Sequence, residues 1–503
     1  MTVGGATDWG DLRLPPEHVP YFFRNNPHIK QRCQDEDTCP YKALLRETRC
    51  WGYEEECPES QRKSLPVCPD EVEPTRRQSV TDRRRNLFWR QADFGYVKDR
   101  MDNMRTFCRG SRKTDSSLEC TDALRFCRGR NVFLDLRNAK LATRDRYRND
   151  ILLDNTFGGH CDLDKVGLDA AMTSPLINKR PLASWMREME HFTSLPTQPL
   201  ATGECDVIIE RPTIIIKMDE ENNIFHHTCV FMNLYISLHV NNSFSNDVNI
   251  LVWDTSLFDL RGYMTEMRDA FTRHDVMLLK HFDGKRVCFK DAIFSLPARM
   301  MLGIYYNLAP VKGCKPSGLV NAFSEHVLHN LNIQQTGPLV DKVRVTFLVR
   351  STKIRRILNQ EEMLAGLQRL PDLEVQMVDF NKSIPFIDQL QIIHNTDLFI
   401  GLHGAGLTYM LYLPDWATVF EIYRCGIDDM YPDLARMRGI NYITWENLET
   451  LIPENKTVLP NYTNYSFDVG EFLRLVRVAA DQVTSHPDLI KARHHKYRDK
   501  GEL

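Results

Sequence analysis

Between residues 342 and 445, short apolar runs of strand length alternate with runs of helical period, and no other property of the chain restricts its fold as tightly. "KVRVTFLVR" (342–350) reads as a strand, "LNQEEMLAGLQRL" as a helix and "LEVQMVD" (373–379) as a strand. "IPFIDQLQIIHNTD" places Ile387, Leu390 and Ile393 on one helical face; a strand over 398–402, a helix over 407–413 and strands over 418–423 and 440–445 follow. Strand–helix–strand alternation builds a parallel sheet covered on both faces. Such sheets bind ligands beyond the carboxyl ends of their strands. The middle of the chain has the same rhythm: β-branched runs in 205–219, a helix-like 223–244, and strands over 248–254 and 274–282. The expected class is therefore α/β, with two Rossmann-like lobes behind a Cys-rich N-terminal region. The expected boundaries are 1–130 for that region, 131–330 and 331–467 for the lobes, and 468–503 for a C-terminal helix and tail.

One stretch gives the second lobe a chemical role. In "HNTDLFIGLHGAGLTYMLYLPDW" (394–416), His403-Gly404-Ala405-Gly406 joins a buried strand to a helix beginning near Leu407 and Thr408. A strand that turns through two glycines into a helix presents free N–H groups to an anion, most often a phosphate. A second turn, also after a strand end, carries Arg350, Ser351, Thr352, Arg355 and Arg356. A guanidinium matches phosphate with a planar fork and keeps its charge at any working pH. The two turns together form a cradle for a diphosphate. Glu421, closing "VFEIY", is placed to accept the two hydroxyls of a ribose. His226 and His227 open the 223–244 helix, and a histidine there suits a general base. Asp162-Leu163-Asp164 is a D-x-D pair, a pattern too common to assign a metal.

Bulk properties narrow the setting. The 503 residues carry 26% charged residues and a net charge of −3, which gives no argument for nucleic acid or an anionic membrane. No stretch approaches 18 uninterrupted apolar residues, so no membrane span is expected. Fourteen cysteines contain no C-x-x-C pair and match no zinc spacing, and eight of them fall before residue 130, so disulfides and an oxidising compartment are expected. Sequons at Asn241, Asn381, Asn455, Asn461 and Asn464 agree. The chain opens without a basic segment followed by an apolar one, and we read that start as truncated, misassigned or trimmed. The last four residues, Lys500-Gly501-Glu502-Leu503, differ by one substitution from the K-D-E-L retrieval signal, which points to the endoplasmic reticulum lumen and a retrieval receptor. A nucleotide-diphosphate site in a lumenal α/β protein suggests a sugar-nucleotide transferase without identifying the sugar.

Several stretches carry a resemblance: "CWGYEEEC", "FHHTCVFMNLYISLHVNNSFSNDVNILVWDTS", "KRVCFKDAIFSL", "VTFLVRSTKIRRILNQEE", "HNTDLFIGLHGAGLTYMLYLPDWATVFEIY" and "NYTNYSFDVGEF". In order and over nearly the whole chain, they resemble glycosyltransferase family 61, and within it the transferases that act on EGF repeats. The resemblance implies a two-lobed, inverting GT-B enzyme with UDP-N-acetylglucosamine as donor and a Ser or Thr of a folded EGF repeat, Notch-like ectodomains included, as acceptor. It requires no cofactor. It places Arg355 on the diphosphate-contacting arginine and His403 to Thr408 on the glycine turn facing the nucleotide, with the base in the other lobe. Two departures stand out. Arg273-His274-Asp275 replaces the Asp-Tyr-Asp associated with optimal activity, so only Asp275 remains there as a candidate catalytic or cation-binding carboxylate. The Asp that relatives place four residues after His226 is Val230 here. The alternatives are a non-catalytic lumenal binding protein of the same fold, or a transferase with another acceptor or sugar.

Overall fold

The computed structural model describes all residues except 1–8, 70–76, 142, 176–179, 221–222, 258–262, 306–310, 382, 427–429 and 500–503. The retrieval-like tail 500–503 thus lies outside the described residues. The chain divides into two compact units, one of residues 1–65 and 86–310, the other of residues 66–85 and 311–503. The expected 1–130 region is accordingly shared between the units.

The first unit is built on an 11-stranded mixed sheet. Its strands near the candidate residues are β1 (Cys127–Asp135), β2 (Thr213–Ile216), β3 (Asn249–Val252), β4 (Met277–Leu278) and β5 (Arg286–Phe294). They run in the order β4-β3-β2-β5-β1; neighbours among the first four are parallel and β1 is antiparallel to β5. The expected strand 274–282 shortens to β4, because Leu279 and Phe282, three residues apart, turn into the core on a 3-10 helix (Leu279–Phe282). Between β2 and β3 runs α1 (Ile224–Asn241), capped by the Asn223 side chain on the Phe225 N–H. Sixteen of its eighteen residues are buried, which accounts for its lack of a polar face.

The second unit holds a five-stranded, wholly parallel sheet in the order β7-β6-β8-β9-β10. The strands are β6 (Val343–Leu348), β7 (Leu373–Val378), β8 (Leu398–Gly401), β9 (Thr418–Glu421) and β10 (Asn441–Thr444). Helices α2 (Gln360–Gln368), α3 (Phe386–His394) and α4 (Val469–Thr484) belong to the same unit. The expected face of α3 is corrected: Ile387 is exposed, and Phe386, one residue earlier, joins Leu390 and Ile393 in burial. After β8 the chain forms a 3-10 helix, Ala405–Tyr412, rather than the expected helix over 407–413. It stops ahead of Pro414, since the residue before a proline disfavours the helical region. Arg438 donates to the carbonyls of Leu411 and Leu413 at 3.0 and 2.7 Å, satisfying that end.

Six disulfides are present: Cys33–Cys39, Cys50–Cys57, Cys68–Cys314, Cys108–Cys161, Cys120–Cys127 and Cys205–Cys288. They place the chain in an oxidising compartment. Cys68–Cys314 pins the 66–85 segment to its unit across 246 residues. Among the described residues no helix is long and apolar enough to cross a membrane.

Candidate active site

Where the order of parallel strands reverses, ligands bind in the crevice beyond the strand ends, and each unit has one such reversal among its parallel strands. In the second unit the reversal lies between β6 and β8, the first and third strands of that sheet in chain order. Leu348 pairs with Gly401 at their ends, so the 350–356 and 403–406 turns emerge side by side. Arg350 Nη1 donates to the His403 carbonyl at 3.1 Å, and Arg355 Nη1 points to the same oxygen at 3.5 Å. Burial, followed by the neighbouring Arg355 charge, pushes the Arg350 guanidinium below its ordinary value. The Arg355 Nε is enclosed and makes no hydrogen bond. Two converging cations and an enclosed donor make a site that favours an anion.

Glycine is required here. Gly404 has φ +154°, and a Cβ on it would stand 2.7 Å from Arg350 Nη1. A Cβ on Gly406 would stand 2.7 Å from Leu348 Cδ2. Ser351 is exposed and Ala405 half-buried, both at the level of the turn. Leu407 and Thr408, expected to face a nucleotide, are instead fully buried; Leu407 packs against Gly401 beneath the turn. Glu421 also departs from expectation. It is fully buried, with Oε1 accepting from His403 Nδ1 at 2.6 Å and Oε2 from the Tyr442 hydroxyl at 2.5 Å. Both oxygens are held by protein, so Glu421 is no acceptor for ribose hydroxyls.

In the first unit the order reverses between β2 and β5. Asp219 follows the end of β2 and Arg299 follows the end of β5, and they join across the reversal at 2.7 Å. His226, in the first turn of α1, places Nδ1 2.6 Å from the same Asp219 oxygen. Burial works against the Asp219 charge, but His226 and Arg299 outweigh it and lower the carboxyl below its usual range. A carboxylate accepting from Nδ1 fixes the tautomer of a neutral imidazole and makes Nε2 its acceptor. A base oriented by a third group is the arrangement that general-base catalysis uses. Sequence reasoning missed Asp219. Position 230, where an orienting Asp was sought, holds a buried Val within α1, and Asp219 reaches the ring from the preceding loop.

Arg273-His274-Asp275 lies elsewhere. The Arg273 N–H donates to the Asn246 carbonyl, and His274 Nε2 sits 2.8 Å from Asp247, both ahead of β3. Arg273 pairs with Asp11 and, at 3.2 Å, with Asp247. These residues occupy the amino edge of the sheet, while His226 stands at its carboxyl edge, about 13 Å away along a four-residue strand. Asp275 is fully exposed and pairs with Arg268 at 2.9 Å. The expectation that Asp275 is catalytic is therefore corrected, because the connection into β4 returns it to the wrong edge. Asp162 lies on a short edge strand and Asp164 caps the next helix through Gly167 N at 2.8 Å, which accounts for the D-x-D pair.

Comparison with known proteins identifies the family. Residues 185–420 match the model of the family described as Glycosyltransferase 61. The EGF domain-specific O-linked N-acetylglucosamine transferase of Bos taurus is 46% identical over 495 residues, covering 95% of this chain and 91% of that protein. The chain belongs to glycosyltransferase family 61. The proteins of the same name from Xenopus laevis and Drosophila melanogaster are 45% and 40% identical, each covering 94% of this chain and 91% of its own length. As a member of this family the chain is a glycosyltransferase. The match spans β2, His226, both arginines, the glycine turn and the first three residues of β9.

Proposed function

We propose that the chain transfers N-acetylglucosamine from UDP-N-acetylglucosamine to Ser or Thr hydroxyls of folded EGF-like repeats, with inversion, in the endoplasmic reticulum lumen. The observation that carries it is the convergence of Arg350 and Arg355 on the His403 carbonyl beside Gly404, in a chain 46% identical to a transferase of that name. The five-stranded parallel sheet and the parallel strands of the mixed sheet, each reversing order beside candidate site residues, support a GT-B assignment with the donor on the second unit. Such a site neutralises a diphosphate with guanidinium and backbone N–H groups, so no cofactor is called for.

In the proposed reaction the acceptor oxygen bonds to the anomeric carbon as the bond to the UDP oxygen breaks. UDP leaves with that electron pair, and Arg350, Arg355 and the turn N–H groups stabilise its growing charge. The hydroxyl proton goes to a general base, and in the first unit the Asp219–His226 pair has the chemistry of one, a carboxylate beside an imidazole whose protonated form it would stabilise. Asp219 also meets the departure at Val230, since it supplies the orienting carboxylate by another route.

The test is mass spectrometry of a folded EGF repeat incubated with the chain and UDP-N-acetylglucosamine, beside an Arg355→Ala control. One N-acetylhexosamine on a Ser or Thr, absent in the control, is expected. A chain that binds UDP and transfers nothing to any repeat would favour the binding-protein alternative.

A further inference from the structure

His403 is tied to every neighbouring strand end of the second unit's sheet. Its carbonyl receives Arg350 and Arg355 from the turn after β6, and its N–H donates to the Tyr423 carbonyl just past β9. Its ring reaches Glu421 at the end of β9, and Glu421 reaches Tyr442 on β10. The Tyr431 ring meets the imidazole edge-on at 5.0 Å. The chain Tyr442–Glu421–His403 is almost wholly enclosed at its centre, with Glu421 at 0% and His403 at 4% exposure. Burial and then the Glu421 carboxylate push the Tyr442 phenol up, so it stays a hydrogen-bond donor.

We propose that Glu421 and Tyr442 are positioning residues of the donor site: they hold His403 so that its carbonyl anchors the Arg350 and Arg355 pair at the separation a nucleoside diphosphate requires. Two guanidinium groups repel each other and drift apart unless a shared acceptor holds them. Here that acceptor is one backbone oxygen, and its peptide is steady only while the ring behind it is steady. The Glu421–His403 bond is charge-assisted and enclosed, which makes it among the stronger hydrogen bonds available to a side chain. The carboxylate touches no substrate in this account. Its effect on the donor passes through His403.

The proposal rests on the nucleotide-diphosphate reading above, and the experiment separates the two. UDP is titrated calorimetrically into the full chain, its Glu421→Gln and Tyr442→Phe variants and the double variant, with donor KM and kcat measured on a folded EGF repeat. Both substitutions preserve shape, so the core stays filled. Glu421→Gln is expected to weaken UDP binding and raise donor KM about tenfold, the worth of one charge-assisted hydrogen bond, with kcat within about threefold. Tyr442→Phe is expected to act in the same direction and less strongly. The double variant is expected to match Glu421→Gln alone, because both act through one chain. A merely structural role would lower the melting temperature without splitting KM from kcat. UDP affinity unchanged in Glu421→Gln, a loss confined to kcat, or additive effects in the double variant would each overturn the proposal. Failure of the unsubstituted chain to bind UDP would refute the nucleotide reading, and this proposal with it, before any variant is compared.

Discussion

A methyl group at position 404 tests the donor site more directly than removal of a charge. Gly404 sits at φ +154°, and its added Cβ would lie 2.7 Å from Arg350 Nη1 and 2.9 Å from Nη2. Two costs follow from Gly404→Ala. The backbone conformation is essentially reserved for glycine, and holding alanine there costs about 1–3 kcal/mol of stability. Arg350 must also withdraw, giving up its 3.1 Å bond to the His403 carbonyl and its place against an incoming phosphate. One lost hydrogen bond to a charged group is worth about 1.5–3 kcal/mol, which lowers UDP affinity about tenfold to a hundredfold. Calorimetric titration with UDP and a thermal melt, on the same preparations, read the two costs separately. Arg355, which points to the same carbonyl at 3.5 Å, still brings a second guanidinium to the site, so residual binding is expected. Gly404→Ala with UDP affinity within twofold of the parent would refute the geometry, whatever its melting temperature. A stability loss without an affinity loss would mean that Arg350 does not contact the diphosphate.

Four further outcomes are expected. Asp219→Asn lowers kcat about a hundredfold to ten-thousandfold, the span of general acid–base catalysis, while UDP binding by calorimetry stays unchanged. Because the folded Asp219 carboxyl is lowered, its contribution to stability is complete above the ordinary carboxylate range and is lost as pH falls through the folded value. Acid melts below about pH 4 should therefore show a smaller pH effect in Asp219→Asn than in the parent. Asp275→Ala leaves transfer within about twofold and stability within about 1 kcal/mol, as for any exposed ion pair, and activity assays with a thermal melt check both. Glycopeptide mass spectrometry is expected to find Asn381 and Asn455 occupied and Asn464 bare. The first two are exposed in turns where Oδ1 accepts from Ser383 and Thr457, whereas the Asn464 side-chain nitrogen is buried and donates to Glu454 at 2.7 Å and Lys353 O at 3.3 Å.

What could be read in advance divides along physical lines. Patterns local in sequence were legible: all five strands of the parallel sheet fall within the apolar runs that announced them, and the glycine turn and arginine turn lie beyond strand ends as alternation requires. Their meeting was also legible, since a parallel sheet brings its carboxyl ends to one side. What escaped depends on where a side chain turns after its backbone is placed. Glu421 stands at the strand end where it was expected, yet the pleat sends its carboxylate inward to His403 and Tyr442, and no spacing in "VFEIY" distinguishes inward from outward on a strand buried on both faces. Asp219 escaped for a related reason. The resemblance pointed to position 230 for an orienting carboxylate, but the loop before the helix supplies it through Asp219, which also pairs with Arg299, eighty residues on. Arg273-His274-Asp275 failed in the opposite sense. Its residue types suit a site, but it lies just before β4, and in a parallel sheet the residues entering a strand gather at the edge away from the ligand. The same rule that let the two turns be placed together therefore also excludes Asp275, once the strand that follows it is known to be parallel.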